Sequence, residues 1–166
     1  MFKIKLLILL LINLIFINSC TTNRLDSGTK YSVGYIGGEY TGFVFKNQLL
    51  IHLDSYKLYN SISNYQIRAA VDHTSNTYIT NINNTSDRSN IETIMNIKVY
   101  DLKNECTVYR WEDDIEQFFI YASNQKFLSN QTASEKIKID NIDQLIKKFV
   151  NKIQLLDDFK CIKWVI

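Results

Sequence analysis

The stretch from Asn141 to Asp157 limits the possible folds more than any other part of the chain. Ile142, Leu145, Ile146, Phe149, Val150, Ile153 and Leu156 fall on one face of a helix, and Lys147, Lys148, Asn151 and Lys152 on the other. Such an apolar face is stable only when packed against another one. The surface it needs is written upstream with a period of two. Tyr65, Ile67, Ala69 and Val71 alternate with Gln66, Arg68, Ala70 and Asp72. Ile91, Thr93, Met95, Ile97 and Val99 share one face of a later strand. A helix covering one side of a sheet is the simplest arrangement that satisfies both patterns.

The remaining segments extend this frame. Tyr31 to Ile36 reads as a strand ended by Gly37-Gly38. Within Glu39–Leu53, Phe45, Leu49 and Leu53 recur four residues apart, and Val44, Leu50 and Ile51 widen the stripe, which predicts a helix from near Thr41. Asp54 to Asn64 reads as a loop. Tyr78 to Ile82 could lengthen the preceding strand, and Asn83-Asn84-Thr85-Ser86-Asp87 offers a reversal. Asp101 to Glu105 is a polar turn of hairpin length. Thr107 to Ile120 follows as a strand region with large side chains at Tyr109 and Trp111 and an expected break near Asp113-Asp114. Gln125 to Lys136 is mostly polar, and Phe159 to Ile166 reads as a last strand or a docked extension. The expected fold is α+β in two layers. Two helices pack on one face of a mixed or antiparallel sheet of about four strands, in the order β-α-β-β-β-α.

The first residues stand outside that fold. Met1-Phe2-Lys3-Ile4-Lys5 is a short basic start, and Leu6 to Ile17 is almost wholly apolar. This is the build of a secretory signal. The run is short of the ~20 apolar residues that span a bilayer, so a transmembrane anchor is the weaker reading. Ile17-Asn18-Ser19-Cys20 resembles a bacterial lipobox. That resemblance implies cleavage before Cys20 and lipidation of Cys20, with several acyl chains forming a stable anchor. Thr21, where an Asp would imply inner-membrane retention, points to the outer membrane. The chain then divides into a signal at 1–19, a lipidated tether at 20–30 and a single domain at 31–166.

Removing the signal changes the charge balance. The whole chain has 166 residues, 19 Lys and Arg, 17 Asp and Glu, and a net charge of +2. Lys3 and Lys5 leave with the signal, so 19 − 2 = 17 cations face 17 acids in the mature chain. Neutrality argues against a nucleic-acid binder, which would carry a basic surplus.

No constellation of residues carries catalysis. His52 and His73 lie in different elements, each read as a surface or partly buried residue. There is no HExxH, CxxC or other zinc spacing. Gly37-Gly38 lacks the context of a phosphate loop, and no G-x-S-x-G elbow is present. Glu112-Asp113-Asp114 reads as a solvated bend. The expectation is a non-enzyme with no catalytic residue, no cofactor and no metal. Cys106 and Cys161 are an even pair in an exported chain. They fit one disulfide between the start of a strand and the C-terminal tail, or two buried free thiols.

The series of elements resembles a known family. Its supporting stretches are Phe43–Leu53 in the first helix, Arg88-Ser89-Asn90 leading into Ile91–Leu102, and Asn141–Ile153 in the last helix. With the lipobox, this order resembles the LPS-assembly lipoprotein LptE in its divergent alphaproteobacterial form. The resemblance implies an outer-membrane lipoprotein facing the periplasm. It would sit within the β-barrel LptD, assist its assembly and help pass lipopolysaccharide to the outer leaflet. Basic side chains would meet lipid A phosphates, and Arg88, Lys126 and Lys136 are the candidate contacts. The rival readings are an auxiliary lipoprotein of an ABC-type lipid transport system and a type VI secretion lipoprotein. The latter is a β-sandwich, and the helix at 141–157 counts against it.

Overall fold

A computed structural model describes residues 28–78, 87–121, 127–156 and 159–162. The signal segment, Cys20, most of the tether and Lys126 lie outside the described residues. So do residues 79–86, on which most of the expected strand extension and reversal fall.

The described elements run β1 (Tyr31–Gly37), α1 (Glu39–Ser55), β2 (Tyr65–Tyr78), β3 (Asp87–Asp101), β4 (Cys106–Tyr121) and α2 (Phe127–Ile153). The sheet order is β1-β2-β3-β4. β1 runs parallel to β2, while β2–β3 and β3–β4 are antiparallel. The α+β fold in the order β-α-β-β-β-α, with two helices and a four-stranded mixed sheet, is therefore as expected.

Both helices pack on one face of the sheet. Phe45, Leu49 and Leu53 of α1 are fully buried, as are Ile142, Leu145, Ile146, Phe149 and Val150 of α2. They meet Ile67 and Val71 of β2 and Met95, Ile97 and Val99 of β3 in a single core. Trp111 of β4 closes the side of that core, its ring 5.7 Å from Phe149.

Local geometry fixes the ends of α1. Gly38 precedes it with φ 112°, and a Cβ there would lie 2.7 Å from the Val71 carbonyl oxygen. Only glycine tolerates both that backbone and that approach. At the other end Leu58 N–H donates to the Leu53 carbonyl and Lys57 N–H to that of Asp54, both at 2.8 Å. This is a Schellman closure with Lys57 in the left-handed region at φ 58° and Leu58 buried beneath it.

Several expectations need correction. The strand is not broken at Asp113-Asp114, because β4 pairs with β3 through both residues. Alternation accommodates the acids: Asp114 points to solvent, and Asp113, on the helix side, accepts from Lys148 Nζ at 2.9 Å. The last helix begins at Phe127 and ends at Ile153. Its first half is polar yet still presents a partly covered stripe, in which buried Asn130 and half-buried Ala133, Ser134, Ile137 and Lys138 continue the spacing of Asn141 and Ile142. The first helix starts at Glu39, and Ile51, expected on its buried stripe, is 67% exposed. β3 starts at Asp87, so Arg88 lies inside the strand and not ahead of it. The tail is a docked extension where described. Phe159 stacks on Tyr65 at 5.0 Å, and Ile162 N–H donates to the Thr107 carbonyl at 2.8 Å.

Candidate functional site

Alternation gives the sheet a second face, opposite the helices. Register arranges its side chains in rows across β2, β3 and β4. At the end near the β2–β3 connection the row is Tyr78, Arg88, Ile120, with Asn76, Asn90 and Phe118 next to it. Tyr78 is 54%, Phe118 62% and Ile120 67% exposed. The Arg88 guanidinium lies 5.3 Å from the centre of the Phe118 ring. Tyr78, Arg88, Asn90 and Phe118 line a shallow cavity of about 350 Å³. The arrangement sets one cation amid exposed rings and aliphatic surface. Asn90 Nδ2 donates to Glu116 Oε1, which fixes the inner border of the cluster.

Toward the other end the face carries acids and then cations. Asp72, Ile94 and Asp114 share a row, and Thr74, Glu92 and Glu116 another. Beyond them Arg68, Lys98 and Arg110 stand side by side across three strands. Arg68 lies over the Tyr100 ring at 4.2 Å and donates from Nε to Gln66 Oε1 at 2.8 Å. A groove of about 400 Å³ opens here between Arg68, Lys98, Tyr100 and Thr107.

The expected contact residues are not brought together. Arg88 is on the open face, whereas Lys136 is exposed on α2, in the helix layer behind the sheet. Phe118, Tyr78 and Ile120 escape sequence reading because they join Arg88 only through register. The cation row escapes it likewise, because counting outward from the Asp101–Glu105 turn sets Lys98 opposite Val108, whereas the observed pairing, with its register shift at Val99/Tyr100, brings it opposite Arg110.

Other polar groups serve the fold. In the helix layer Asp143 accepts from Lys147 Nζ at 2.5 Å and meets His52 Nε2 at 2.8 Å. Partial burial pushes the Asp143 carboxyl up, but the hydrogen bonds from Lys147 and His52 outweigh it and hold it below its usual value. His73 lies within β2. Its Nδ1 pairs with Thr93 Oγ1 at 2.9 Å, and Asn141 Nδ2 donates to the same oxygen at 3.0 Å. Burial, then the charge of Lys138, lowers the His73 pKa; Glu135 and Asp72 oppose this. Cys106 and Cys161 are joined as a disulfide with Cα atoms 5.6 Å apart. Among the described residues no group of three or more His, Cys, Asp or Glu could hold a metal ion. No helix among them is long and apolar enough to cross a membrane.

No protein-family model matches the chain, and no curated protein matches its sequence. Solved structures do match in fold. A minor lipoprotein from Acinetobacter baumannii superposes with TM-score 0.59 at 14% identity, covering 81% of this chain and 96% of the other. Rare lipoprotein B from Shewanella oneidensis gives TM-score 0.53 at 10% identity, covering 75% of this chain and 96% of the other. The chain thus has an α+β fold shared with bacterial lipoproteins. At these identities the likeness is one of fold alone.

Proposed function

We propose that this chain is a lipoprotein anchored through Cys20 in the outer membrane and facing the periplasm. In this role it assists assembly of the β-barrel LptD and the passage of lipopolysaccharide to the cell surface. It makes and breaks no bond. The observation that carries the reading is the Arg88 cluster. A guanidinium beside exposed Phe118, Tyr78 and Ile120 offers an anionic amphiphile both of the contacts it needs, a cation for phosphate and apolar surface for chain. The lipobox and the fold shared with two lipoproteins support the anchor. The barrel partner rests on the resemblance of the element series to LptE.

The test is extraction of the full chain in mild detergent, followed by identification of what co-purifies. A large outer-membrane β-barrel is the expected partner, and Arg88→Asp together with Phe118→Asp should lower surface lipopolysaccharide. Recovery of an ABC permease in place of the barrel would overturn the reading in favour of the transporter-associated alternative. Unchanged surface lipopolysaccharide on depletion of the protein would also sink it. Palmitate labelling that persists in Cys20→Ala would refute the anchor.

A further inference from the structure

The row Arg68–Lys98–Arg110 needs a physical explanation. Directly opposed side chains in an antiparallel pair stand about 5 Å apart, and like charges at that spacing are destabilising. Here two such oppositions are consecutive, Arg68 with Lys98 and Lys98 with Arg110. Nothing in the core requires them, because all three point away from the helices. The adjoining row, Ala70, Asn96 and Glu112, holds one carboxylate, and none lines the groove. Arg110 also engages neighbouring groups, so Arg68 and Lys98 are the chief donors toward the groove. Arg68 is held in place by Gln66 and by the Tyr100 ring beneath it. A guanidinium stacked in this way keeps its remaining N–H groups directed to a ligand. Small Ala70 leaves room above the strands, and Thr107 adds a hydroxyl at the groove's edge.

We infer that this groove is an anion site that takes a phosphate group, bound between Arg68 and Lys98 with Tyr100 as its wall. The phosphate supplies negative charge between Arg68 and Lys98, the two cations that line the groove. The site lies ten residues along β3 from Arg88, or about 33 Å. It is therefore separate from the Arg88 cluster and does not depend on the barrel partner. Its phosphate belongs either to a lipid headgroup or to a small soluble phosphate.

Two titrations of the full chain, followed by amide NMR in a zwitterionic detergent, test it. One uses inorganic phosphate and the other dihexanoyl phosphatidylglycerol. Saturable shifts centred on Lys98 and Tyr100 are expected. Arg68→Gln/Lys98→Gln should weaken binding at least ten-fold, whereas Arg88→Gln should leave these shifts unchanged. Saturation by inorganic phosphate as readily as by the lipid identifies a soluble phosphate ligand; saturation by the lipid alone identifies a headgroup. In the double variant the relieved like-charge opposition offsets the lost Tyr100 and Gln66 contacts of Arg68, so a Tm within about 2 °C of the parent confirms folding in the same sample. Absence of saturable shifts at the row with both ligands overturns the site. So does a double variant that binds as tightly as the parent.

Discussion

Breaking the Cys106–Cys161 bridge should lower stability by about 4 kcal/mol, chiefly through the unfolded chain. The bridge spans 55 residues of sequence, from the start of β4 past the end of α2. Closing a loop of that length removes about 14 cal/mol/K of entropy from the unfolded state, or about 4 kcal/mol at 25 °C. The folded state gives little of this back. Phe159 packs edge-on to Tyr31 and tilted against Tyr65, and Ile162 N–H donates to the Thr107 carbonyl, contacts that hold the tail independently of the sulfur link. The measurement is urea unfolding of Cys106→Ala, Cys161→Ala and the double variant, in a Cys20→Ala background so that only these thiols are counted. With a slope of about 2 kcal/mol/M, the midpoint should fall by about 2 M. Each single variant should lose about as much as the double, since either substitution opens the loop. The bridged parent should give no free thiol until reduced. Additive single variants, or a double variant within 1 kcal/mol of the parent, would refute this reasoning.

Three further outcomes are expected. Lys57→Gly should raise stability by about 0.5–1 kcal/mol, because Lys57 sits in the left-handed region at the Schellman closure of α1; calorimetry would show a Tm increase of about 2–3 °C. Below pH 6.5 the unfolded chain should take up a proton at its free His73 while the folded chain, its His73 pKa lowered by burial, resists; stability is therefore complete above pH 6.5 and declines on acidification until the folded pKa is reached. His73→Gln should flatten that decline in unfolding titrations, and an unchanged slope would show that another group is responsible. Asp143→Asn should destabilise by no more than about 1 kcal/mol, given the partial exposure of its partners. Its contribution in the parent is present above the ordinary carboxylate pKa and is lost as the pH falls through the lowered folded value, so the variant and parent unfolding curves should converge at strongly acidic pH.

What the sequence reveals follows the distribution of apolar side chains. α2 is plain over 142–153 because its buried stripe there is wholly apolar. It is hidden over 127–140 because the same stripe passes through Asn130, Ser134 and Lys138. β4 reads as broken at Glu112-Asp113-Asp114, since three acids in a row suggest solvent. In the strand, two of them face outward, and Asp113 on the helix side is answered by Lys148 of α2, 35 residues away. No local pattern can foresee such a partner. The candidate site divides in the same way. Arg88 can be picked out as a basic residue at the start of a strand. Its partner Phe118 and the whole Arg68–Lys98–Arg110 row exist only once three strands are in register.

That register resolves a difficulty raised by composition. The residues from Cys20 onward, with 17 cations and 17 acids, have no overall pull on an anion. Binding then demands that charge be segregated over distances longer than the ~8 Å across which salt screens it. The open face does this along the strands. Arg88 with its rings occupies one end, the acids Asp72, Asp114, Glu92 and Glu116 fill the middle, and the three-cation row occupies the other. With rows spaced at about 6.6 Å, the two cationic ends lie several screening lengths apart, and each presents its own field despite the neutral whole. The helix face shows none of this banding, being given over to the core. One sheet therefore separates the two requirements, with folding energy gathered on the side of α1 and α2 and charge sorted on the other. An anionic amphiphile meeting this protein would be drawn to the ends of the open face and repelled from its middle.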